Sequence, residues 1–159
     1  MRIYFSIAVS VLLLGCDSKR VFEDNHEFQQ RSWKTTDQVQ FDFQIADTSR
    51  KYNVLMNIRN SLDYPYARIF VNYDLVKQDN ISLSQKMIAE YLFDQKTGKP
   101  FGTSGIGDIY DHQIPLLKNY SFEKAGSYKI KLNQFMRMDT IAGILAVGIR
   151  VEKAGESNP

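Results

Sequence analysis

The chain has one cysteine, Cys16, and its thiol is the only side chain placed and nucleophilic enough to accept a diacylglyceryl group through a thioether. It closes the tetrapeptide Leu13-Leu14-Gly15-Cys16, at the end of an apolar run that begins at Ile3. Arg2 is the only charge before it. A short basic start, an apolar run, a small residue and then Cys is the order of a bacterial lipoprotein signal. Leu13 and Gly15, three and one residues before the cysteine, leave room for a signal peptidase at the scissile bond. Cleavage would make Cys16 the lipidated first residue. A transmembrane helix is the competing reading, but Ile3 to Gly15 is 13 residues, short of the ~20 that span a bilayer. An ordinary signal peptide with a chance cysteine fits less well, because the single cysteine falls at the one position a lipobox requires. One acyl chain, at ~0.8 kcal/mol per buried CH₂, holds a protein only marginally, whereas two or three on one cysteine hold it firmly.

Other residues with chemical potential do not assemble into a catalytic set. His112 with Asp108 or Asp111 can be drawn as a metal or acid–base site, but a surface loop with Asp residues making turns is the simpler reading. Asp108 and Asp111 lack the regular oxygen spacing of a calcium loop. Gly102-Thr103-Ser104-Gly105 is not a G-x-S-x-G elbow, and no Gly-Lys-Ser/Thr opens a helix after the Gly-rich stretch. With no nucleophile–base pair, a hydrolase is disfavoured, and no metal or cofactor is expected. Tyr64, Tyr66, Tyr110 and Tyr120 fall in or near loops, where tyrosines stack on sugars, form protein interfaces or simply pack half-buried.

The elements that would carry these residues are strands. Val39, Phe41, Phe43 and Ile45 alternate with Gln40, Asp42 and Gln44, a half-buried strand. The period of two returns in Lys51–Asn60, in Ile69–Leu75, from Gly126 to Asn133 and in Leu145–Lys153. Met87 to Phe93 is apolar on both faces and reads as a strand near the middle of a packed structure. Asp94 to Ile109 is a Gly-rich loop, and Tyr110–Leu117 a short strand. Pro65 in Asp63-Tyr64-Pro65-Tyr66 turns the chain, with a Tyr-Pro bond open to the cis form. Phe135, Met138 and Ile141 recur at three, which predicts one helical turn. Residues 1–15 are thus read as signal peptide, 16–34 as lipidated N-terminus and polar tether, 35–153 as one domain and 154–159 as a polar tail. The domain is expected to be an all-β antiparallel β-sandwich, jelly-roll or immunoglobulin-like, with at most one short helix.

Bulk numbers agree with one exported domain. Residues 17–159 suffice for a real core. Twenty basic residues against 18 acidic ones, or 19 against 18 without Arg2, do not suggest nucleic acid or polybasic membrane docking. With no second cysteine, the domain has no internal disulfide and is held by packing.

Four stretches resemble the GldH gliding-motility lipoprotein family of the Bacteroidetes. They are Cys16-Asp17-Ser18-Lys19-Arg20-Val21-Phe22-Glu23; Tyr52 to Asn60 with Asp63-Tyr64-Pro65-Tyr66; Gly105-Ile106-Gly107-Asp108-Ile109-Tyr110-Asp111; and Met136-Arg137 with Gly143-Ile144 through Lys153. The resemblance implies a non-enzymatic envelope lipoprotein working beside other gliding lipoproteins and tied to type IX secretion. It implies no catalytic residues, and only Cys16 as a site of modification. No acidic run follows Cys16, so a periplasm-facing anchor is expected. Tyr64, Tyr66, Gly105, Gly107, Asp108, Tyr110 and Asp111 are the expected contact surface for a partner. The alternative is a carbohydrate-binding lipoprotein module for envelope glycan or peptidoglycan. In cells fed a labelled fatty acid, the Cys16→Ala chain is expected to lose the label and leave the membrane fraction.

Overall fold

The computed structural model describes residues 17–77 and 79–155. Cys16 and the signal segment lie outside the described residues. The strands are β1 (Arg20–Glu27), β2 (Ser32–Lys34), β3 (Val39–Ile45), β4 (Lys51–Ser61), β5 (Arg68–Lys77), β6 (Ser82–Tyr91), β7 (Thr103–Ser104), β8 (Ile109–Ser121), β9 (Gly126–Gln134), β10 (Thr140–Ala142) and β11 (Ile144–Lys153). Every pairing is antiparallel. One sheet has the order β1-β11-β4-β8-β7, the other β3-β9-β5-β6, and β10-β2 is a separate ribbon. The sheets pack as a sandwich, the all-β architecture expected from the alternation.

The core lies between the sheets because each strand buries one face. Tyr52, Val54, Met56 and Ile58 of β4 and Val147, Ile149 and Val151 of β11 face Phe41 and Phe43 of β3, Ile69 to Leu75 of β5 and Tyr128 to Leu132 of β9. Phe122 joins both layers: its ring lies 4.6 Å from Tyr128, 4.9 Å from Tyr120 and 5.6 Å from Tyr52, all edge-on. Trp33 plugs the ribbon, fully buried, with its indole N–H donating to the Asp37 carbonyl at 2.8 Å. Buried Tyr and Trp need such partners for their polar tips.

Antiparallel register gives the sandwich two ends. Turns 46–50, 79–81 and 122–125 lie at the near end, where β1 also begins. Segments 62–67, 92–108 and 135–143 lie at the far end.

Several expectations change. Residues 20–27, expected in a tether, form β1, paired along its length to β11. Its charges look like linker composition, yet an edge strand carries them readily because one side and one face meet water. Met87–Phe93 is not central: β6 ends at Tyr91, is an edge strand, and leaves Met87 exposed, while Leu92 and Phe93 leave the strand to bury at the far end. No helical turn forms at 135–141, since Ile141 pairs with Trp33 as part of β10. The Tyr64–Pro65 bond is trans. β8 also extends to Ser121, with register shifts opposite Tyr52 to Leu55. Pro115 fits there because β7 covers the other edge of β8 only at Tyr110 and Asp111.

Truncating Phe122 to Ala empties the joint between the layers and is expected to cost roughly 3–5 kcal/mol, measured by urea unfolding of the wild-type and variant chains.

Candidate functional site

At the far end, the end of β4 lies beside the start of β8. Ser61 stands opposite Ile109, and the Leu62 N–H donates to the Asp108 carbonyl at 3.2 Å. The two segments expected to meet a partner are therefore neighbours. Their residues differ in availability. Tyr64 is buried, stacks on Phe93 at 6.3 Å and donates its hydroxyl to the Arg68 carbonyl at 2.9 Å. Burial pushes its phenol well above the usual tyrosine range. It is a packing residue, contrary to its expected place on the contact surface. Gly143 makes room for it, at φ +78°, since a Cβ there would come within 2.6 Å of the Tyr64 Cα.

Tyr66 stands edge-on to Tyr64 at 5.8 Å and remains open to solvent. The Gly105 N–H donates to the Ile109 carbonyl at 2.8 Å, closing a tight loop in which Gly107 takes φ +71°. The loop carries Ile106 outward at 95 % exposure, so its tip is apolar. Tyr110 is half-buried. Asp111 grips Arg59 with both oxygens, 2.8 Å to Nε and 3.2 Å to Nη2, a fork geometry that fixes both side chains on the outer face of the sheet.

His112 does not sit in a surface loop. It lies on β8, faces inward and is buried, and its Nε2 has no hydrogen-bond partner. Gly102 covers it, and a Cβ there would stand 2.7 Å from Nε2. Burial holds the imidazole below its ordinary value of 6.5, outweighing the attraction of Asp111. Among the described residues, no group of three or more His, Cys, Asp and Glu is placed to hold a metal ion.

Among the hollows at this end, two differ sharply in character. One, of about 500 Å³, lies on the outer side of β5 and β6 and is lined by Tyr66, Phe70, Met87, Phe135, Arg137 and Met138, with Met136 at its floor. Met87, Phe135 and Met138 are each more than half exposed. The Met136 sulfur accepts the Phe70 N–H at 3.4 Å, and Arg68 covers the ring of Tyr91 at 4.6 Å from its centroid. Sequence reasoning missed this hollow. A usable signal was Phe135-Met136-Arg137-Met138, in which three bulky apolar residues of four cannot all reach one core. The other hollow, about 310 Å³ on the outer face of β1, β11, β4 and β8, is polar, with Asn25, Asn57, Arg59, Asp111 and Gln113 among its lining.

Protonating His112 sets a charge into the core. The folded-state preference for neutral imidazole contributes stability above about 6.5 that is lost as pH falls below it. Unfolding midpoints compared at about pH 7 and pH 5 are expected to drop for the wild type and to drop less for His112→Leu.

A family model described as GldH lipoprotein matches residues 20–151. A gliding motility lipoprotein GldH homolog of Christiangramia forsetii is 28% identical over 165 residues, covering 97% of this chain and 99% of the relative. The gliding motility lipoprotein GldH of Flavobacterium johnsoniae is 27% identical over 154 residues, covering 92% and 93%. Among solved structures, the infectious bursal disease virus VP2 subviral particle aligns with 96% of this chain and 38% of that chain at 10% identity, with a TM-score of 0.38.

Proposed function

Because the chain belongs to the GldH lipoprotein family, we propose that it is a lipid-anchored, non-catalytic interaction subunit of the bacterial gliding-motility machinery, linked to type IX secretion. Cys16 carries the lipid and fixes the protein to a membrane, facing the periplasm. The far end meets the partner, which belongs to the same machinery: another gliding lipoprotein or a secretion subunit.

The observation that carries this reading is the apolar hollow beside Tyr66. Isolated exposed apolar residues are ordinary, but Met87, Phe135 and Met138 are grouped around one concavity, and such grouping marks interaction sites. Methionine side chains adapt to the shape of what they bind. The contact surface thus keeps Tyr66 and the 105–111 loop, loses Tyr64 to the core, and gains the hollow.

The polar hollow favours a second reading, binding of envelope glycan. Its amides and the Arg59–Asp111 fork suit hydroxyl-rich ligands, and Asn57 Oδ1 is left without a partner in it. The loop tyrosines offer no shared platform, since Tyr64 is buried.

The readings separate in one experiment. Membranes crosslinked in cells and gently solubilised are expected to yield other gliding or secretion subunits with the wild-type chain. The partner should be lost with Phe135→Lys/Met138→Lys and reduced at least tenfold with Tyr66→Ala/Tyr110→Ala, about 1.4 kcal/mol of binding, while the domain stays folded. Undiminished recovery with both variants removes the far end as the contact. Glycan-array binding that depends on Asn57 and Gln113 moves the weight to the second reading.

A further inference from the structure

The near end of the sandwich has properties that neither the family nor the interaction reading uses. Asp17 directly follows Cys16, one Cα step of ~3.8 Å away, and it is already fixed to the body. Its carboxylate pairs with the Arg150 guanidinium, which also binds Glu23 at 3.0 Å and Glu152 at 2.9 Å. The Lys153 N–H then donates to the Lys19 carbonyl at 2.8 Å. No free chain therefore separates residue 17 from the sandwich. Whatever holds Cys16 holds this end close.

This end is also chemically distinct. Near-neutral charge over the whole chain conceals a local excess of lysine. Lys19, Lys51, Lys118 and Lys124 are exposed there, with Lys77 and Lys153 half-buried beside them. Of the nearby acids, Asp17 is answered by Arg150 and Asp47 by Arg50 at 3.1 Å; Asp79 and Glu123 oppose the lysines. Two bulky aliphatic residues stand among these charges, Ile81 at 56 % and Leu83 at 41 % exposure. With Tyr120, Lys77, Lys124 and one acid, Glu123, they line one hollow of about 340 Å³. Exposed aliphatic side chains on an end of the fold that also carries lysines suit a bilayer interface: the apolar groups enter the headgroup boundary while ammonium groups stay with phosphates.

We propose that the near end is a membrane-seating base, with Ile81 and Leu83 in the headgroup region of an anionic phospholipid bilayer and Lys19, Lys51, Lys118 and Lys124 against its phosphates. The proposal rests on the reading of Cys16 as the lipid site. The base then sets the orientation of the anchored protein, with the far end turned away from the membrane. Each lysine near such a surface contributes roughly a fivefold gain in association, and added salt weakens it.

The test uses the full lipid-modified chain, reconstituted into vesicles of phosphatidylcholine alone or mixed three to one with phosphatidylglycerol. Lipidation consumes the native thiol, so Ile81→Cys and Tyr66→Cys each offer a unique site for a fluorophore. With phosphatidylglycerol present, headgroup-quencher lipids are expected to quench the label at position 81 and to spare that at 66. Lys19→Glu/Lys51→Glu/Lys118→Glu/Lys124→Glu should abolish this difference while the protein still floats with the vesicles. Equal quenching at both positions in floating wild-type protein overturns the base and leaves the anchor intact. Preferential quenching at 81 that is identical without phosphatidylglycerol overturns the anionic requirement. A wild-type chain that neither floats nor carries lipid by mass spectrometry overturns the anchor reading itself.

Discussion

Arg150 holds together the place where the chain enters the sandwich. Its side chain is only 14% exposed, and a guanidinium so enclosed needs its charge answered. Three carboxylates do this from three places: Asp17 before β1, Glu23 within β1 and Glu152 on β11 itself. The same contacts hold the Asp17 carboxyl below its usual range, chiefly through the hydrogen bond from Arg150. For Glu23, burial alone would raise the carboxyl, but hydrogen bonds from Arg20, Asn57 and Arg150 outweigh it. Both acids therefore stabilise the folded chain above the ordinary carboxylate range, and that stabilisation disappears as pH falls through it. Gly148 completes the attachment, because a Cβ there would come within 2.5 Å of the Asp24 carbonyl on β1.

Much of the fold was legible in the sequence, for a physical reason. A strand with one wet face must alternate, and Val39–Ile45 and Gly126–Gln134 do so with little exception. What alternation does not reveal is which strand lies at an edge. Met87 and Tyr91 look like core in one dimension, yet they cover the outer side of an edge strand, where Arg68 lies over the Tyr91 ring. The converse error hid β1, whose polar composition reflects an edge and not a linker. Composition reports how wet a segment is, and both edges and linkers are wet.

The candidate surface was legible only in part. Residues 61–66 and 105–111 do come together, because β4 and β8 pair there. Their exposure was unreadable, since it depends on distant residues: Gly143 admits Tyr64 to the core, and Gly102 lets the loop close over His112. The apolar hollow draws Phe70, Met87 and Phe135 from three separate segments, a conjunction that no single window of sequence contains. The lysines of the near end are likewise scattered along the chain and gathered only by the turns.

The direct passage from Asp17 into β1 has a mechanical meaning. A pull on the segment before Asp17, resisted at the far end, acts along the axis of β1 and parallel to its ladder with β11. The register from Phe22–Val151 to Glu27–Ala146 is then loaded in shear, with its hydrogen bonds sharing the load together instead of opening one by one. Tension applied before Asp17 would thus reach the far end through a sheet, because residue 17 is already tied to the sandwich by Arg150.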